Sequence, residues 1–303
     1  MKKFFNYFFL VHPVFLLERI IKECFVRFVP RSIFFTLLKR NPYKNYHGVR
    51  IPLDEKNPST LQGLIQTYGD FKIMERGTKS KYCGMTEIDV KNFLKKFLKK
   101  GDTFFDVGAQ FGYFSGVAAS FVGYSGSVHV FEPTPFCWGD IDNLQKSNQN
   151  YTFFINHVAC GDANTEKKLH ISVPPHLSSH TLVDSLLEKK GIAELETISV
   201  PIITLDTYIF QKNTKPNVIK IDVEGYEFMV LKGLEKFFSS GYAPAIICEL
   251  TPQAYPILNH SIHDIVSFMK RFKYRIFSSW NHKKEILNYQ GENIGHNVIF
   301  RVP

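Results

Sequence analysis

From residue 103 onward, the chain alternates short apolar runs with longer segments whose apolar positions recur at helical spacing. The runs 103–107, 127–131, 151–158, 218–223, 245–249, 274–278 and 296–302 read as strands. Segments 111–121, 135–147, 226–238 and 262–272 read as helices. Strands alternating with helices of this length predict an α/β fold with a mostly parallel sheet covered on both faces. In such a sheet ligands lie beyond the carboxyl ends of the strands, where strand order reverses. The chemistry is therefore expected at the strand tips.

Two stretches depart from that rhythm. Upstream, Thr86 is placed to cap a helix whose apolar stripe is Ile88, Phe93, Leu94, Phe97 and Leu98, with Gly101 closing it. Lys91, Lys95, Lys96, Lys99 and Lys100 fill the other positions. They read as a solvated face, favourable to the helix dipole in the last turn, with a nucleic-acid patch as the alternative. Segment 162–210 interrupts the alternation: 167–173 and 197–203 look like strands, and the polar stretch between them holds Pro174, Pro175, His176 and His180. An insertion of this length beside a ligand edge is expected to face the substrate.

The first forty residues are rich in phenylalanine, with Lys2 and Lys3 ahead of a mostly apolar stretch from 4 to 17. Asn6, His12 and Pro13 interrupt it and no small-residue cleavage site comes after it, which argues against a secretory signal. No apolar run reaches the roughly 18 residues that a membrane-spanning helix needs. Short amphipathic helices remain, either lying in a membrane interface or packing on the downstream domain. Pro30, Pro42, Pro52 and Pro58 punctuate the next stretch, and 41–60 reads as linker. The expected organisation is a helical extension and linker over 1–80 and one α/β domain over 81–303.

Composition narrows the class. With 303 residues, 44% hydrophobic and 21% charged, the chain is globular rather than disordered. Its five cysteines, Cys24, Cys83, Cys137, Cys160 and Cys248, are scattered without a C-x-x-C pair. That argues against a disulfide framework or a structural zinc, and no metal is expected. A reducing, cytoplasmic location fits, with residues 1–40 as the candidate for peripheral membrane contact. The net charge of +9 admits an anionic surface, a nucleic acid or an anionic substrate without selecting among them.

The strand tips carry the candidate chemistry. The first strand ends in Asp106-Val107-Gly108-Ala109-Gln110-Phe111-Gly112. Gly108 allows a tight turn, and Gly112 lets the next helix approach and leaves room for a ligand. The second ends in Phe131-Glu132-Pro133, an acid positioned to take both ribose hydroxyls of a nucleoside. The glycine spacing differs from the G-x-G-x-x-G of dinucleotide sites. Asp106, two residues ahead of the first glycine, would repel a pyrophosphate. It suits a ligand carrying an ammonium and a sulfonium, and so favours S-adenosylmethionine over NAD. The third strand leads to Ala159-Cys160-Gly161-Asp162, where Asp162 is either a partner for the adenine amine or part of an ordinary turn. The fourth carries Lys220-Ile221-Asp222-Val223-Glu224-Gly225-Tyr226-Glu227. Alternation would set Lys220, Asp222 and Glu224 on one face, either as an ion pair or as acids facing the reacting centre. Glu227 is a candidate capping carboxylate, and Glu249, at the end of the fifth strand, is a supporting one.

With these motifs the chain resembles the FkbM-type S-adenosylmethionine-dependent methyltransferases. The matching stretches are Gly84 to Glu87, Gly101-Asp102, Asp106 to Gly112, Phe131-Glu132-Pro133, Ala159 to Asp162, Thr204-Leu205-Asp206, Lys220 to Glu227, Leu231-Lys232-Gly233 and Glu249. They cover roughly residues 80–250. Gln110 stands where the family usually has Asn, and Tyr226 where a small residue is common. The resemblance implies a Rossmann-like seven-stranded methyltransferase sheet and methyl transfer to a hydroxyl of a sugar, glycan or secondary metabolite. By position, Asp106, Gly108, Gly112, Glu132 and Asp162 would hold the cofactor, and Asp222 and Glu224 would face the acceptor. Asp222 or Glu224 is expected to take the hydroxyl proton, with His180 as the alternative base. Methylation of RNA or protein is a competing expectation, weakened for nucleic acid because Asp222 to Gly225 replaces the Asp/Asn-Pro-Pro-aromatic run of base methylation. A membrane-peripheral binding protein without catalysis is another.

Overall fold

A computed structural model describes residues 88–172, 179–286 and 297–303. The expectations for the N-terminal extension, the 41–60 linker, the Thr86 cap, Cys24 and Cys83 lie outside the described residues. The first described helix is α1 (Ile88–Phe97), followed by β1 (Thr103–Val107), α2 (Tyr113–Val122), β2 (Ser127–Phe131) and α3 (Pro135–Ser147). Next come β3 (Thr152–Asn156), β4 (Ala159–Cys160), β5 (Thr165–Ser172), α4 (Leu186–Lys189), β6 (Glu194–Ile203) and α5 (Leu205–Lys212). The chain continues through β7 (Val218–Ile221), α6 (Glu227–Lys232), α7 (Glu235–Ser239), β8 (Ala245–Glu249), α8 (Ile262–Arg271), β9 (Arg275–Ser278) and β10 (Asn297–Arg301).

Seven strands form the main sheet in the order β3-β2-β1-β7-β8-β10-β9. β3, β2, β1, β7 and β8 are parallel, and β10 runs antiparallel to both β8 and β9. The order reverses between β1 and β7, so their tips are the expected ligand crevice. The strands are apolar on both faces because helices cover both. Phe105, Val107, Phe131, Ile219, Ile221, Ile246 and Cys248 share a cluster with Tyr208 of α5, Val230 and Leu231 of α6, and Ile265 and Phe268 of α8. Alternation puts Phe104, Val128, Val130 and Val218 on the other face, where α2 packs on β1 and β2. Gly116, Ala118, Ala119 and Ser120 keep α2 slim enough to sit there. Thr204 caps α5 through the Thr207 amide, and a Ser261–Asp264 capping box starts α8.

Several expected boundaries shift for local physical reasons. The strand expected over 218–223 stops at Ile221, because Glu224 and Gly225 turn the chain with φ of +49° and +110°. The helix expected over 226–238 is broken into α6 and α7 at Gly233. There the backbone packs so closely on Gly161 that a Cβ would lie 2.0 Å from the Gly161 carbonyl oxygen. The 151–158 strand is shorter, as β3. The insertion strands form, but β5 and β6 join β4 in a separate three-stranded sheet rather than the main one.

Candidate active site

At the tip of β1, Asp106 is in register with Val130 of β2 and Lys220 of β7. Its carboxylate is buried on the α2 side, where Ser115 Oγ donates to Oδ2 at 2.6 Å and Oδ1 has no hydrogen-bond partner. Burial raises its pKa, and the Lys220 charge opposes that rise. Lys220 is only 4% exposed. Its Nζ reaches Asp222 Oδ2 at 2.7 Å and lies 5.4 Å from the Phe114 ring centre. A lysine so enclosed needs its carboxylate partner to stay charged. The ion pair that the sequence allowed between Lys220 and Asp222 is therefore present.

The turns at the tips are tied together. The Asp222 amide donates to Val107 O at 3.0 Å, and the Gly108 and Ala109 amides donate to Phe131 O. Gly108 has φ of +78°, and a Cβ there would fall 1.8 Å from Asp222 O, so only glycine fits between the tips of β1 and β7. Glu132 closes the other side. Its Oε2 accepts the Gln110 amide at 2.7 Å and its Oε1 the Thr134 amide at 2.8 Å. Burial pushes its pKa up, and those amides work against the shift. Glu132 thus braces the β1 turn against the start of α3. Gly112 faces Leu144 and Ile141 of α3, so its small size serves helix packing.

The expected alternation of Lys220, Asp222 and Glu224 along one strand face is corrected: Glu224 lies in the turn after β7, in left-handed backbone. The insertion holds it there. Lys190 Nζ pairs with Glu224 Oε2 at 2.8 Å, and Thr181 Oγ1 donates to Glu224 O at 2.7 Å. Glu227 is fully buried. Its Oε1 accepts the Gly225 amide at 2.7 Å and Thr251 Oγ1 at 3.1 Å, and Oε2 has no partner. Burial pushes its pKa up to about 7. The Glu227 carboxylate thus ties the Gly225 turn to Thr251 rather than capping an amide of α6.

Asp162 lies just past β4. Its carboxylate pairs with Lys232 Nζ of α6 at 2.9 Å. Burial, and secondarily the Asp162 charge, pushes the Tyr226 phenol up to about 12. The His180 ring is edge-on to Phe136 at 5.1 Å between centres, and Phe136 in turn lies 6.1 Å from Phe111. The Ser172 amide donates to His180 Nδ1 at 3.0 Å. Burial lowers the His180 pKa to about 4, and the lone pair a base would use is already engaged. Ser115, Thr181 and Lys190 escaped sequence reasoning because each reaches its partner across the fold. Among the described residues, no group of three His, Cys, Asp or Glu side chains is placed to hold a metal ion, and no helix is long and apolar enough to cross a membrane.

The family model described as the methyltransferase FkbM domain matches residues 106–276. No curated protein matches the chain. Similar solved structures include a candidate rRNA methylase from Clostridium thermocellum, at 12% identity over 71% of this chain and 94% of that one, TM-score 0.41. Fibrillarin from Aeropyrum pernix with natively bound S-adenosyl-L-methionine is 12% identical over 70% and 73%, TM-score 0.37. A SAM-dependent O-methyltransferase from Thermotoga maritima is 14% identical over 70% and 64%, TM-score 0.38.

Proposed function

The chain belongs to the FkbM methyltransferase family, and from that premise we propose that it moves a methyl group from S-adenosylmethionine to a hydroxyl oxygen of a sugar, glycan or secondary metabolite. One observation carries the cofactor reading. Asp106 is buried at the strand-order reversal with Oδ1 unpartnered, beside a turn that only Gly108 fits. An enclosed carboxylate oxygen without a donor calls for one from a ligand, and a cationic ligand suits it better than a pyrophosphate. The residues present fit the cofactor in this respect. Asp106 and the Gly108 turn would hold it, Glu132 would meet its ribose, and Gly112 would shape the turn. Asp162, which pairs with Lys232 through Oδ2, would meet the adenine amine.

When bound, the sulfonium supplies an electrophilic methyl group for in-line displacement by oxygen. The protein's task is then alignment, exclusion of water and removal of one proton. Positioning supplies on the order of 7–11 kcal/mol in such reactions. Asp222 is held by nearly buried Lys220 and serves to orient the acceptor hydroxyl. Glu224, whose partner Lys190 sits on the insertion and is more exposed, takes the proton as the acceptor enters. The engaged Nδ1 argues against His180 as the base.

The test is methyl transfer from radiolabelled S-adenosylmethionine to a panel of hydroxylated glycans and small metabolites, with RNA and protein as parallel arms. Label in an O-methyl ether of a glycan or small metabolite supports the reading, while label confined to RNA or protein overturns it. With an acceptor in hand, Glu224→Gln is expected to lower kcat about 100-fold or more and to leave S-adenosylhomocysteine affinity within about threefold.

A further inference from the structure

We propose that His180 is a hydrogen-bond donor to the nucleoside part of the bound cofactor, its tautomer fixed by the protein so that Nε2 carries the proton. This rests on the S-adenosylmethionine reading and adds to it a binding residue from the insertion.

The tautomer is set by geometry. The Ser172 backbone N–H lies 3.0 Å from Nδ1 and can only donate, so Nδ1 accepts. Ser172 Oγ approaches the same nitrogen at 3.1 Å. A neutral imidazole that accepts at Nδ1 carries its proton on Nε2. Burial keeps the ring neutral. Nε2 is itself buried and has no partner. A buried N–H without an acceptor is costly to the folded protein and is a rare feature that calls for an explanation.

The position of the ring supplies one. The next residue, Thr181, is pinned past the tip of β7 by its bond to Glu224 O and pairs its backbone with His170. The His180 ring rests on Phe136, in the first turn of α3 past the tip of β2. β1 lies between β2 and β7 in the sheet. The segment therefore crosses the tip of β1, over the crevice where strand order reverses. Phe136 lies four residues after Glu132, the ribose-binding candidate, which places His180 on the nucleoside side. A neutral donor there matches the lone pairs of an adenine ring nitrogen or a ribose oxygen.

Calorimetric titration with S-adenosylhomocysteine and with 5′-methylthioadenosine tests this, since both carry the nucleoside and only the first carries the amino-acid end. His180→Phe keeps an aromatic ring against Phe136 and removes the donor, and it is expected to weaken both ligands about tenfold. His180→Gln restores a donor and is expected to stay within about threefold of the unaltered protein. Nitrogen NMR of the unaltered protein should show Nε2 protonated and Nδ1 unprotonated before and after ligand is added. Unchanged affinity in His180→Phe, weakening of S-adenosylhomocysteine alone, or the opposite tautomer each overturns the proposal. Failure of the unaltered protein to bind either ligand overturns the cofactor reading itself, and is seen before any variant is made.

Discussion

Glu227 and His129 are both buried titratable side chains, and they push stability in opposite directions with pH. The Glu227 carboxyl titrates near 7 in the folded protein against 4.5 ordinarily. Its contribution is fully present below about 4.5 and is lost as pH rises through about 7. His129, held between Ser127 and Tyr208, is pushed down to about 4, mainly by burial and secondarily by Lys212. Its contribution is present above about 6.5 and is lost as pH falls towards about 4. Glu227→Gln should therefore gain stability relative to the unaltered protein as pH rises from about 5 to about 8, read from urea midpoints. A difference that does not change with pH would contradict this assignment. Asp106, Gly108, Glu132 and Asp222 were legible in the sequence because a charge or a glycine stands out at the end of an apolar run. Ser115, Thr181 and Lys190 were not, because their partners are 9, 43 and 34 residues away and nothing local marks the meeting. Glu224 was legible as an acid but misplaced, since Val223 prolongs the look of a strand past its real end.

The elements that deviated from expectation are those shaped by contacts between motifs. Gly233 splits one expected helix into α6 and α7 because its backbone lies against Gly161, and its carbonyl accepts the Asp206 amide at 2.8 Å. Asp206 then accepts the Lys236 and Phe237 amides at the start of α7. Three stretches that looked like separate family motifs are thus one structural knot, a fact that periodicity does not encode. It yields a contrast between neighbours. Gly233→Ala forces a Cβ onto a backbone oxygen that cannot yield cheaply, and is expected to cost about 2–4 kcal/mol. Lys232→Ala removes a part-exposed pair with Asp162 and is expected to cost under about 1 kcal/mol. Chemical unfolding of both variants checks the order, and an equal cost would contradict it. Where an element depends on its own residues, as in β1, β2 and α3, the sequence reading matched its bounds closely.

At the scale of the molecule, the sheet order sets the acid-bearing tips of β1 and β7 side by side at the expected ligand crevice, and Thr181 and Lys190 of the insertion bond Glu224 in the turn after β7. The alternation made the main sheet readable. The side sheet was not, since strands do not announce which sheet they join. Under the proposed function, this crevice binds S-adenosylmethionine through Asp106. The most direct measurement is thermal unfolding of the full chain with S-adenosylmethionine, S-adenosylhomocysteine or NAD, alongside Asp106→Asn. At about 100 times the dissociation constant a ligand adds roughly 2.7 kcal/mol, or several degrees in Tm. That rise is expected with the first two ligands, with none from NAD and loss of the rise in Asp106→Asn; a rise with NAD alone, or no rise with any of the three, means that the crevice is not an S-adenosylmethionine site.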